Sequence, residues 1–189
     1  MSSGLHHAAC AHGAGYCTFN GLVLASNAAL TAGAESVLIL DLDAHCGGGT
    51  ASLIAKEPRI RHVDVSVCSY DSYPASERAR LAVVTSATDY LQEIRRMLGE
   101  VDRYGPFGLC LYNAGMDPSE DCSTDGLAGI TREVLAERER LVFEWCATRH
   151  LPIAFVLAGG YIGPQLNIPG LVALHRLTLS AASRAGISP

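Results

Sequence analysis

SVLILDLDAHCGGG, residues 36–49, decides the fold. Its first half is a short unbroken apolar run, the pattern of a strand buried on both faces, as strands of parallel sheets are. Its second half turns abruptly to two aspartates, a histidine and three glycines. Ligands of open α/β sheets bind in the crevice beyond the carboxyl ends of the strands. The stretch therefore predicts both a strand and one wall of a site. Working outward, HVDVSVCS (62–69), FGLCLYN (107–113) and PIAFVLA (152–158) read as three more strands. Helical patterns fill the spaces at 18–32, 76–101, 131–147 and 164–184. In 76–101, Leu81, Val84, Leu91, Ile94, Leu98 and Val101 fall near a helical period. In 131–147, Val134, Leu141, Val142 and Trp145 do the same, with charges on the other face. Alternating strands and helices predict right-handed crossovers. The fold class is α/β: a three-layer sandwich with a mainly parallel sheet covered by helices on both faces.

The 189 residues suit one core, so the expectation is a single domain over 1–189. With 49% apolar and 17% charged residues the chain is globular rather than disordered. A net charge of -5 argues against nucleic acid as a partner, and no apolar run suits a bilayer. Seven cysteines form no CxxC pair, and no secretory leader is visible. The expectation is free thiols in a reducing cytoplasm.

Each informative polar cluster follows a strand: DLDAHCGGG, SYDSYP, NAGMDPSED and AGGY. In an extended segment residues two apart point the same way, so Asp43 and His45 can face one metal with Asp41 in the same register. Alone, DxH also fits a turn-capping Asp beside a half-buried His. Asp117 follows Gly115 just past a strand; by itself, Asp-Pro after Gly is ordinary turn chemistry. Two carboxylates and one imidazole would leave an open, catalytic metal site. Tyr161, after two glycines, can donate a hydrogen bond to a developing oxyanion, or be a surface residue on a loop. His6 and His7 are acid/base candidates near neutral pH, or a packed or terminal pair. Tyr16 can wall a channel or simply pack.

In this order the clusters resemble the histone deacetylase and acetylpolyamine amidohydrolase superfamily of the arginase/deacetylase fold. Zinc-dependent members carry a His-His-Ala segment before Gly-aromatic-Cys and Asn; here it reads HHAACAHGAGYCTFN. DLDAHCGGG is similar to their DxDxHHG, NAGMDP to their Gly-Ala-Asp, and LAGGY to their Gly-rich stretch ending in Tyr. The resemblance runs from residue 4 to about 180. It implies that Asp43, His45 and Asp117 hold one Zn2+, with Fe2+ or another divalent ion also suited to the donors. It implies His7 as general base and acid, and His6 as its more buried partner oriented by Asp41. Tyr161 would steady the oxyanion, while Gly15, Tyr16 and Gly160 would bind substrate. Asp41, Asp43, His45, Ser66 and Val67 match a site for a monovalent cation such as K+. The implied function is a metal-dependent amide hydrolase releasing acetyl or a related short acyl group. The implied substrate is an acylated amine, either a small one or an acetylated lysine side chain. Two-manganese ureohydrolases of the same fold fit less well, because Gly47 stands where they need a further Asp.

Three departures shape the expectations. Cys46 and Gly48 replace a second His and an Asp or Asn. The loss at 48 implies a poorly oriented His7, and a thiol at 46 beside the metal implies coordination or oxidation. The family's segment ahead of HHA is absent, which implies truncation relative to the family. An open sheet edge would then invite a homo-oligomer or a complementing chain. The alternative function is a catalytically impaired remnant acting as a binding or assembly module.

Overall fold

The computed structural model describes residues 4–186. Five strands, β1 (Val37–Asp41), β2 (Ile60–Ser66), β3 (Ala79–Val83), β4 (Leu109–Gly115) and β5 (Ile153–Ala158), form one sheet in the order β3-β2-β1-β4-β5. Every pair is parallel. Side chains alternate across the central strands, as strand geometry demands. Val37, Ile39, Ile60 and Leu111 join one core layer, beneath α1 (Gly21–Thr31) and α2 (Gly48–Ile54). Leu38, Leu40, Val63, Val65, Cys110 and Tyr112 join the other, beneath α3 (Ala87–Val101), α4 (Arg132–Ala147) and α5 (Ile168–Ala185). Each fully buried Leu or Ile contributes about 1.5–3 kcal/mol. The sandwich is the three-layer arrangement that the alternating pattern implies. Polar caps set helix starts: Asn20 accepts from Val23 N at 3.0 Å, and Asn167 from Gly170 N at 2.8 Å. None of the described helices is long and apolar enough to cross a membrane, and the seven cysteines are free thiols.

The stretch 76–101 is not one helix. Residues 79–83 form edge strand β3, and α3 begins only at Ala87 after Ser86. The edge of β2 offers unpaired backbone groups, and pairing with 79–83 satisfies them. Leu81 and Val84 matched the helical period with only two residues, too few to outweigh that pairing. The sheet's other edge is β5, where Ala154 is exposed and Phe155 half-buried.

The strand order reverses between β1 and β4. That is the topological switch point, where the chain leaves adjacent strand ends in opposite directions and opens a crevice. One buried side chain spans it. Arg138 Nη1 donates to Leu42 O (3.1 Å), just past β1, to Gly115 O (2.8 Å), at the end of β4, and to Tyr90 Oη (3.2 Å). Its Nε and Nη2 donate to Glu139 Oε1 at 2.8 and 2.6 Å, and Tyr112 Oη donates to the same oxygen at 2.7 Å. Both charges are fully buried, contrary to the expectation that α4 turns its charges to solvent. Removing Arg138 strands the Glu139 carboxylate. Arg138→Ala is expected to lower stability by about 3–5 kcal/mol in denaturant unfolding, with Glu139→Gln in the same chain recovering part of the loss.

Candidate functional site

The chain leaving β1 presents Asp41, Asp43 and His45, and the chain leaving β4 presents Asp117. Asp43 Oδ1 and Asp117 Oδ2 lie 3.0 and 3.1 Å from His45 Nδ1. All three residues are buried. Backbone amides fix the carboxylates: His45 N donates to Asp43 Oδ1 (3.0 Å) and Ala44 N to Asp117 Oδ1 (3.1 Å). Glycines make the approach possible. A Cβ at Gly115 would lie 2.6 Å from Asp43 Cα, and one at Gly159 would lie 2.3 Å from Asp117 Oδ1. Gly159 also holds φ +58°, a conformation side chains disfavour.

The donors fit a divalent metal ion. Two carboxylates and an imidazole converge, and the buried Asp117 Oδ2 has no hydrogen-bond partner. Without an ion, His45 supplies the positive charge. Burial alone would lower its pKa, but Asp117 and Asp43 overcome this and raise it to about 11. Burial and the neighbouring Asp43 push Asp117 up to about 7. The other ring nitrogen, Nε2, donates to Asp125 Oδ2 at 3.0 Å, the kind of outer contact that orients a ligating His. Asp125 escaped the sequence reading because its only local signal is a turn, Asp-Gly.

His6 and His7 sit in a segment without helix or strand, tied down by Asn20 and Thr50. Asn20 Nδ2 donates to His6 O (3.2 Å) and to Thr50 Oγ1 (2.9 Å), while Thr50 N donates to His6 O (2.9 Å). His6 Nδ1 donates to Asp41 Oδ2 at 2.7 Å, and His7 Nδ1 to Asp71 Oδ2 at 2.9 Å. The two Nε2 atoms are left 3.1 Å apart, close enough to share one proton. Burial opposes a charge on His6, but Asp41 and Asp43 outweigh it and raise its pKa to about 10. Burial and the charge on His6 lower the pKa of His7. At neutral pH the pair is therefore one imidazolium, His6, and one neutral imidazole, His7.

Two expectations are corrected. His7 is not left without a partner by Gly48: Asp71, from the loop after β2, supplies the carboxylate. Cys46 is buried with its Sγ donating to Cys68 O at 3.3 Å, and burial followed by Asp64 pushes the thiol up to about 12. It is not among the groups whose ligand atoms converge; Cys68 is, with His45 and Asp125.

A cavity of about 240 Å3 joins these parts, lined by His6, His7, Asp43, His45, Gly15, Tyr16, Gly159 and Tyr161. Gly15 holds φ +50° directly over His7, where a Cβ would lie 2.2 Å from the ring. Tyr161 is partly exposed, and burial, with Asp117 and Asp43, pushes it up to about 12, so it is a neutral O–H donor. Tyr16 is fully exposed and makes no packed wall. Tyr70, unforeseen from the sequence, stands edge-on to the rings of His7 and His45, at centroid distances of 5.0 and 6.0 Å. Gly160 packs against Leu171 of α5, and it is Gly159 that lines the cavity. Near the implied monovalent-cation position, Val67 N donates to Ala44 O at 3.0 Å. There the carboxylate of Asp41 already accepts from His6, Asp43 N and Asn113, and Ser66 Oγ donates to Asp64.

Comparison with known proteins agrees with the fold. The sequence profile of the histone deacetylase domain matches residues 1–168. The chain is 32% identical over 188 residues to an uncharacterized protein of Picosynechococcus sp., covering 96% of this chain and 60% of that protein. It is 28% identical over 177 residues to histone deacetylase 2 of Arabidopsis thaliana, covering 89% and 45%. Among solved structures, an acetylpolyamine aminohydrolase from Burkholderia pseudomallei shares the fold with a TM-score of 0.76 at 20% identity, over 95% of this chain and 54% of that one. The chain thus spans roughly half the length of these relatives.

A metal ion must displace a proton to reach His45, whose raised pKa keeps it protonated at neutral pH. Titrating zinc into metal-free protein at neutral pH is expected to release about one proton or more. Calorimetry in buffers of different ionisation enthalpy reads that number. Protons and metal compete, so the apparent affinity is expected to rise with pH, ~tenfold per unit for each proton released.

Proposed function

The chain belongs to the histone deacetylase domain family, and on that premise we propose that it is a metal-dependent amide hydrolase that removes an acetyl or related short acyl group from an acylated amine. One observation carries the reading. Asp43 and His45 of a buried carboxylate–imidazole–carboxylate set, a doubly anchored histidine pair and Tyr161 line one cavity at the switch point.

Asp43, His45 and Asp117 would hold the ion, zinc or iron(II). The ion supplies Lewis acidity toward the amide carbonyl and toward water. The chain's own residues do the rest. His7, kept neutral by burial and by its charged neighbour, would take the proton that the attacking water gives up, at an Nε2 that must first part from His6 Nε2, 3.1 Å away. It returns that proton to the departing amine. His6 stays protonated, and Asp41 holds its ring in place. The field of that imidazolium lowers the cost of anionic character nearby. Tyr161 donates its O–H to the carbonyl oxygen as charge gathers there. The small cavity suits a short acyl group on a slender amine, such as acetyl-lysine or an acetylpolyamine. A second reading, a binding or assembly module of the same fold, draws on the full exposure of Tyr16 at the cavity's edge.

The test is acetate release by the metal-loaded protein from acetyl-lysine peptides and acetylpolyamines. Turnover is expected, and Asp117→Ala is expected to abolish it together with metal binding. Tyr161→Phe is expected to retain the metal and lose ~10²–10³-fold in kcat. Stoichiometric metal binding without release of acetate from any member of the panel overturns the hydrolase reading in favour of the module.

A further inference from the structure

The loop between β2 and β3 carries a group that the family motif does not supply. Asp71 lies 64 positions from His7, yet its Oδ2 accepts from His7 Nδ1 at 2.9 Å. The same oxygen accepts from Gly49 N at 3.2 Å, at the start of α2. The loop is pinned where this requires: Tyr70 O accepts from Cys46 N (3.0 Å), and Ser72 N donates to Ser69 O (3.1 Å). Asp71 itself adopts φ +58°, a conformation that Asp tolerates better than most residues. Position 48 is matched to this arrangement. A Cβ on Gly48 would lie 2.4 Å from both the carbonyl oxygen and Oδ1 of Asp71. Only glycine at 48 leaves room for the loop to deliver the carboxylate.

We propose that Asp71 is a positioning residue for His7. It fixes the proton on Nδ1 and so leaves Nε2 as the unprotonated nitrogen, facing His6 Nε2 at 3.1 Å and the cavity, and Gly48 is its steric partner. The proposal rests on the hydrolase reading for its kinetic consequence but not for its structural one. Asp71 acts from a loop that also presents Tyr70 to the rings of His7 and His45, so a single segment sets both the tautomer of the base and one wall around it. Residues 48 and 71 are coupled: a larger side chain at 48 displaces the carboxylate without removing it.

Three variants of the full chain test this. Asp71→Ala deletes the acceptor, Gly48→Ala pushes it away, and Asp71→Asn keeps an acceptor oxygen. In the last, Gly49 N–H selects the amide oxygen at the shared position. Ring nitrogen shifts of His7, read by two-dimensional NMR, report the tautomer whether or not the protein turns over. Wild type and Asp71→Asn are expected to show a protonated Nδ1 and a bare Nε2. Asp71→Ala and Gly48→Ala are expected to show a tautomer mixture. In the metal-loaded protein, those two variants are expected to lose ~10–100-fold in kcat with KM and metal content unchanged. Asp71→Asn is expected to retain more activity than Asp71→Ala. Unchanged His7 shifts in both Asp71→Ala and Gly48→Ala overturn the proposal. So does an equal loss in Asp71→Asn and Asp71→Ala with the tautomer intact. A wild-type protein without amidase activity but with the expected NMR pattern counts against the hydrolase reading and leaves the Asp71 assignment standing.

Discussion

The guanidinium of Arg138 holds together the two strand ends from which everything else is built. It donates across the switch point to carbonyls at Leu42 and Gly115, one residue before Asp43 and two before Asp117. Those two carboxylates approach one imidazole to within about 3 Å. A shift between β1 and β4 would therefore change the spacing of Asp43 and Asp117 about His45. A buried arginine is expensive unless every donor is used, and here Glu139, Tyr90 and backbone oxygens use them. The two charges lie on consecutive residues of α4, so one helix both closes the core layer and clamps the site.

Above that clamp the interior holds Asp41, Asp43, Asp64 and Asp117, a density of buried acid that no apolar core tolerates uncompensated. Histidines interleave with them. His6 lies between Asp41 and Asp43, and His45 between Asp43, Asp117 and Asp125. Burial raises Asp64 to about 6, and amide and hydroxyl donors from Gly47, Ser66 and Tyr73 serve its oxygens. Two buried imidazoliums thus offset part of the acid and neutral donors serve the rest, which lets neighbouring groups carry opposite protonation states. The neutral His7 beside the charged His6 follows from that balance.

Much of this was legible in one dimension. The apolar run 37–41, its terminal acids and the glycine at 115 announce a buried strand with a site at its end, and the order of the motifs names the family. What escaped was whatever depends on a partner far along the chain. Strand β3 owes its existence to the open edge of β2, not to its own pattern. The charges of Arg138 and Glu139 look solvated on a helical wheel and are buried because two strand ends need a donor. Gly48 reads as a loss, since the compensating Asp71 sits in a different loop with no local mark beyond a polar turn. A sequence motif records which groups are neighbours along the chain, whereas the acceptor for His7 is defined only by neighbourhood in space.

The tethering of the histidine segment by Asn20 and Thr50 has a kinetic consequence. His6 meets Asp41 across 35 positions, His7 meets Asp71 across 64, and Ala44 meets Asp117 across 73. Contacts of such long range form only after the chain entropy between them has been surrendered. The irregular segment has no helix or strand of its own to dock early. Its anchors exist only once α1 has presented Asn20 and α2 has presented Thr50. The placement of the histidine pair therefore requires that sheet, helices and loops have all reached their places.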